Sequence, residues 1–96
     1  MNRQSTLEIL AQNKAFLVAR FGVSSLALFG STARDSATSA SDVDVLVAFD
    51  GPSTSERFFG VQFYLEDLLK CPVDLVCEKA LRTELRPFVL NEAIHV

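Results

Sequence analysis

The stretch Leu28-Phe-Gly-Ser-Thr-Ala-Arg-Asp-Ser-Ala-Thr-Ser-Ala-Ser-Asp-Val-Asp-Val-Leu-Val47 sets a Gly-Ser turn between two apolar runs and an Asp-x-Asp at the head of the second. Ser24 to Phe29, closed by Gly30-Ser31, reads as a short buried strand. Asp42 to Phe49 is the clearest strand of the chain, rich in Val and bounded by Ser-rich sequence and Asp50-Gly-Pro52. Its apolar length suits a central place in a sheet. Thr32 to Ala37 are good enough helix formers for one or two turns between the strands, and Ser41 is expected to cap or turn into the second strand.

Upstream, Ser5-Thr-Leu-Glu8 has the form of a capping box, opening a helix that runs to Phe21 and stops at Gly22. Leu7, Leu10, Ala11, Leu17, Val18 and Phe21 share a side at helical spacing and should face the core, with Ile9 and Phe16 opposite. Downstream, Ser53-Thr-Ser-Glu56 repeats the capping pattern and opens a helix lasting to about Lys70. Phe58, Val61, Leu65, Leu68 and Leu69 would lie on the sheet, leaving Phe59 and Phe63 on the far side among Glu66, Asp67 and Lys70. Val73 to Cys77 reads as a third strand, followed by a last helix from Thr83 or Pro87 to Ile94.

This order predicts one α/β domain over residues 1–96, a small mixed sheet of three strands, or four, with helices packed on it. Chemistry sets the strand directions. Gly30-Ser31 leaves the first strand where Asp42 and Asp44 enter the second, so the two meet only if those strands are antiparallel. Asp74 lies near the entry of the third strand and joins them only if the second and third are parallel, linked by a right-handed helical crossover.

Composition narrows the function. The 96 residues are 49% apolar and 22% charged, which fits a packed domain and argues against disorder. A formal charge of -3 offers no basic face for a polyanion, so no direct nucleic-acid partner is expected. The N-terminus lacks a signal-peptide core, and no apolar run approaches the ~20 residues of a membrane span, so the expected setting is cytoplasmic with no membrane contact. Cys71 and Cys77 form no C-x-x-C pair and read as structural thiols, and His95 has no ligand set beside it.

Asp42 and Asp44, two apart on a strand, point to one face while Val43, Val45 and Val47 point to the other. Carboxylates this close repel unless something positive lies between them, and hard oxygen ligands suit Mg²⁺; the plainer alternative is a solvated acidic pair at a strand edge. Asp74 sits in the otherwise apolar Pro-Val-Asp-Leu-Val and is the natural third carboxylate, able to help deprotonate an attacking hydroxyl. Gly30-Ser31 could cradle a phosphate on backbone amides at a helix start, with the Ser31 hydroxyl as a further donor. Arg34, one helical turn beyond Ser31, could reach a triphosphate or pair with Asp35 or Asp42.

Taken together, Gly30-Ser-Thr-Ala-Arg34, the ten-residue interval from Ser31 to Asp42, Ser41-Asp-Val-Asp-Val-Leu-Val47 and Val73-Asp-Leu-Val76 resemble the minimal nucleotidyltransferases of the DNA polymerase β superfamily over nearly the whole chain. The resemblance implies Gly30 and Ser31 as the nucleotide-phosphate contact, and Asp42, Asp44 and Asp74 as ligands of two Mg²⁺ ions with ATP as substrate. Asp35 departs from the pattern, since many relatives carry glycine after the arginine. Many members are antitoxins paired with a HEPN-domain ribonuclease toxin, and some transfer AMP to a tyrosine of that toxin. The apolar Ile9, Phe16, Phe59 and Phe63 suit such a partner. Two other readings stand beside it: a non-catalytic antitoxin acting by contact, and a transferase for a small molecule, whose relatives usually carry a further domain for the acceptor.

Overall fold

The computed structural model describes residues 2–34 and 42–96. The elements run α1 (Arg3–Phe21), β1 (Val23–Phe29), α2 (Gly30–Ala33), β2 (Val43–Phe49), α3 (Ser55–Leu69), β3 (Val73–Cys77), a single 3₁₀ turn (Glu78–Ala80), α4 (Arg86–Glu92) and β4 (Ile94–His95). Four strands form one sheet in the order β3-β2-β1-β4. β1 pairs antiparallel with β2 and β2 parallel with β3, the directions that the placement of the acids demands.

Alternation along β2 divides the sheet into two faces. Val43, Val45, Val47 and Phe49 join Leu26 and Leu28 of β1 and Val73, Leu75 and Cys77 of β3 in one apolar core. Leu10 and Leu17 of α1 and Val61, Leu65 and Leu69 of α3 cover that face. The register sets Asp44 of β2 beside Asp74 of β3, on the opposite face. One face thus holds the core, while the other carries the acids at one end with Leu46 and Ala27 buried beyond them.

Several local details differ from the expected ones. Helix α1 starts earlier than the Ser5 capping box: the Asn2 side chain accepts the Ser5 N–H at 2.8 Å, making Asn2 the cap and placing Ser5 inside the helix. Thr6 is fully buried on the apolar side, where its hydroxyl donates to the Asn2 carbonyl at 2.7 Å. Val18 and Ala11, expected in the core, are exposed, while Ile9, expected outside, packs partly against the core. The cap of α3 is Thr54 rather than Ser53, with its hydroxyl accepting the Arg57 N–H at 3.2 Å. Phe59 and Phe63 are 49% and 63% exposed and stacked on each other, as the helical spacing predicts.

The C-terminal end departs most. Ile94 is not the last residue of a helix; α4 stops at Glu92, and Ile94-His95 form β4, pairing antiparallel with Leu28 and Ala27 of β1. The Val96 N–H donates to the Leu26 carbonyl at 3.0 Å, and Lys14 of α1 donates to the Val96 main-chain oxygen at 2.6 Å. His95 is therefore an exposed strand residue. Cys77 is buried in the core, and Cys71 is half-buried with its thiol pushed above the usual range by burial. The expected continuation of the second helix to Ala37, the turn at Ser41 and the place of Asp35 fall outside the described residues.

Candidate functional site

The site forms where the exit of β1 meets the entries of β2 and β3. Phe29 lies opposite Asp44 in the β1/β2 ladder, so the chain leaves β1 directly beside the Asp44 carboxylate. Gly30 turns there at φ 72°, a left-handed conformation that disfavours any side chain. Space enforces the same choice: a Cβ at Gly30 would fall on the Asp44 Oδ2 atom and 2.8 Å from Cγ. Glycine is thus required both by the turn and by the close approach of the acid. Helix α2 then carries Ser31, and Arg34 caps its end with an N–H to the Gly30 carbonyl at 3.1 Å.

Asp44 and Asp74 are register partners, and their side chains lie within hydrogen-bonding reach of each other. The Asp44 carboxyl is pushed up from its ordinary 3.8 to about 6. Burial is the largest cause, followed by the charge of Asp74, the hydrogen bond with Asp74 and the charge of Asp42, while Arg34 opposes them. Asp42 stands exposed at the mouth of β2, near enough to act on Asp44 by charge. Among the described residues, no three Asp, Glu, His or Cys side chains form a ready-made cation cage.

The entry of β3 is fixed from outside the sheet. β3 is an edge strand, and at Val73 the N–H donates to Glu66 Oε2 at 3.1 Å while the carbonyl accepts from Gln62 Nε2 at 3.3 Å. These two side chains of α3 satisfy backbone groups that no neighbouring strand reaches, and they steady the residue just before Asp74.

Sequence reasoning singled out Asp42, Asp44, Asp74, Gly30, Ser31 and Arg34. The structure brings all six to one end of the sheet. It also adds Glu92 of α4, which accepts the Gly30 N–H on Oε1 at 3.0 Å and pairs through Oε2 with Arg34 Nη1 at 2.8 Å. Arg34 therefore pairs with Glu92, an acid that was not among its expected partners. Nothing in the spacing of the chain pointed to Glu92, which lies 62 residues from Gly30.

The donor set suits a hard divalent cation. Two carboxyls in contact repel, and burial together with the charges of Asp74 and Asp42 pushes the Asp44 carboxyl up to about 6, a repulsion that a proton or a cation between them would relieve. Hard carboxylate oxygens of this kind suit Mg²⁺ as that cation.

An acidic pair across parallel strands, facing a glycine turn at the end of an antiparallel neighbour, defines this as a nucleotidyltransferase-type α/β domain. The chain belongs to the nucleotidyltransferase domain family, whose model matches residues 10–96. It is 40% identical over 88 residues to the protein adenylyltransferase MntA of Thermococcus cleftensis, covering 92% of this chain and 89% of that one. Among solved structures, a chain assigned as a minimal nucleotidyltransferase superposes with a TM-score of 0.83 at 39% identity, covering 98% of this chain and 95% of that one. The MNT antitoxin complex with the tri-AMPylated HEPN toxin of Shewanella oneidensis shares the fold, with a TM-score of 0.61 at 20% identity, covering 98% of this chain and 67% of that one.

Proposed function

We propose that this protein is an antitoxin that transfers AMP from Mg-ATP to a hydroxyl, a tyrosine hydroxyl, of a HEPN ribonuclease toxin and thereby neutralises it. The observation that carries this reading is the joined Asp44–Asp74 pair beside the Gly30 turn, with Asp42 at its mouth. The protein adenylyltransferase named among the relatives and the AMPylated toxin in the neighbouring complex support the choice of AMP and acceptor. Exposed Phe16, Phe59 and Phe63 supply apolar surface for a protein partner.

In this reading the chain works by position and charge. The turn at Gly30 and Ser31 orients the β and γ phosphates, and Arg34 adds positive charge at the same end. Asp42, Asp44 and Asp74 would hold two Mg²⁺ ions, which when bound supply charge neutralisation and Lewis-acid polarisation at the α phosphate. Asp74 receives the proton of the attacking hydroxyl. The hydroxyl oxygen bonds to the α phosphorus as the bond to the bridging oxygen breaks, and pyrophosphate carries away the electron pair. The carboxylates do not attack, so no covalent enzyme intermediate forms.

The deciding experiment follows label from α-labelled ATP into a co-expressed HEPN toxin, its tyrosines replaced one at a time by Phe. The expected result is transfer by the unmodified chain and none by the Asp42→Ala, Asp44→Ala double variant. Equal protection of cells by both would make the protein an antitoxin that acts by contact alone.

A further inference from the structure

The Glu92 carboxylate touches the phosphate turn yet takes no part in the transfer step. It occupies two groups that an incoming triphosphate would be expected to want: the Gly30 N–H at 3.0 Å and the Arg34 guanidinium at 2.8 Å. Such an acid is either a plug that must leave or a strut that must stay, and the two have opposite consequences for nucleotide affinity.

The backbone around it favours the strut. Glu92 ends α4, and two residues later the chain is bound into the sheet through Ile94 and His95 against Leu28 and Ala27. The Val96 N–H to the Leu26 carbonyl and Lys14 to the Val96 main-chain oxygen tie down the same segment. The ladder of β4 with β1 at the edge of the sheet thus fixes the backbone from which the Glu92 carboxylate reaches the Gly30 turn. The Ala93 N–H to the Val89 carbonyl at 3.0 Å further holds the end of α4 to its own last turn. Glu92 is therefore anchored to the scaffold that carries β1, the strand whose exit it braces.

The chemistry agrees. A guanidinium presents five N–H donors in a fixed fork, so a single contact from Nη1 leaves donors for an anion while setting the direction in which they point. On the other oxygen, the Gly30 amide is held at the point where the turn reverses at φ 72° against Asp44. One carboxylate thus braces the turn at its first residue and its last, Gly30 and Arg34.

We propose that Glu92 is a positioning residue of the nucleotide site, fixing the Gly30 turn and aiming Arg34 at the triphosphate. This rests on the reading of the Gly30–Arg34 turn as the phosphate contact. Through Glu92, the α4–β4 segment becomes part of the binding apparatus rather than a mere cover for the edge of β1.

The test is Mg-ATP affinity by calorimetry for the unmodified chain, Glu92→Gln, Arg34→Ala and the double variant, with urea melts to verify folding. Glu92→Gln should weaken binding roughly tenfold, the order of one lost charge-assisted hydrogen bond. In the Arg34→Ala background the same change should cost less than about threefold, because the two act through one contact. A crystal structure of the unmodified chain soaked with ATP should retain the Glu92–Arg34 pair, and this measurement needs no variant to fold. Tighter or equal binding by Glu92→Gln, full additivity in the cycle, or a broken pair in the ATP complex would each overturn the strut. An unmodified chain that binds no Mg-ATP would instead bring down the proposed AMP transfer from Mg-ATP.

Discussion

Asp44 offers the sharpest quantitative handle on the site. Its carboxyl stands at about 6 in the metal-free protein, against an ordinary 3.8, because burial and the neighbouring Asp74 both disfavour its charge. A raised folded-state pKa means that between about pH 4 and 6 the native chain holds a proton that the unfolded chain has released. Asp44 therefore costs the native state stability progressively as pH rises through that window, by about 1 kcal/mol once solvent screening of a half-buried carboxyl is allowed for. Carboxyl-detected NMR titration should place Asp44 near 6, and urea melts should show Asp44→Asn gaining on the unmodified chain between pH 4.5 and 7 by roughly that 1 kcal/mol. Asp74→Asn should lower the Asp44 pKa without restoring the ordinary value, since burial and Asp42 remain. Saturating Mg²⁺ should remove the pH dependence by taking the place of the proton. Asp44 titrating near 4 in the metal-free chain, or Asp44→Asn following the same stability profile as the unmodified protein, would refute the account of the pair.

Four further substitutions test the scaffold. Gly30→Ala places a methyl against the Asp44 carboxylate at a left-handed residue and should cost roughly 2–4 kcal/mol in urea denaturation, from the backbone penalty and the overlap together. Asn2→Ala should cost about 1 kcal/mol because Asn2 caps α1, whereas Ser5→Ala, inside the helix and exposed, should stay within about 0.5 kcal/mol; the reverse order would restore the capping box at Ser5. Leu65→Ala opens a cavity in the middle of α3's buried face and should cost about 2–5 kcal/mol by thermal or chemical melting.

The two central strands were readable from sequence because their determinants are local. Val43, Val45, Val47 and Phe49 alternate with Asp42 and Asp44, so one face of β2 is apolar throughout and the other opens with the two acids. The need to bring Gly30 and Asp74 to those acids then dictates both pairing directions. Helix caps were less readable. A Ser-x-x-Glu pattern stands at the start of α1, but Asn2 lies three residues upstream with a side chain equally able to accept the Ser5 N–H, and the helix begins there. At α3 Ser53 and Thr54 are adjacent candidates, and Thr54 is the one that caps, in a turn where Arg57 also donates to the Asp50 and Pro52 carbonyls.

The edges of the sheet were hidden for a deeper reason. Ile94 and His95 are too few to show a strand pattern, and they form one because β1 would otherwise leave the N–H and C=O groups along its outer side unpaired. Glu92 acquires its contacts only once that pairing exists, so no local property of the C-terminal segment could announce it. On the opposite edge, Val73 beside Asp74 is held by Glu66 and Gln62, helix residues whose helical spacing marks them only as polar. The center of the site, Gly30 against Asp44, is thus written in adjacent strands, while the groups that brace it arrive from the two edges through tertiary contacts. A substitution at Glu66 should consequently impair the site while leaving the motif residues intact, with Glu66→Ala losing nucleotide transfer and Glu66→Gln retaining it, since Gln can still accept the Val73 N–H.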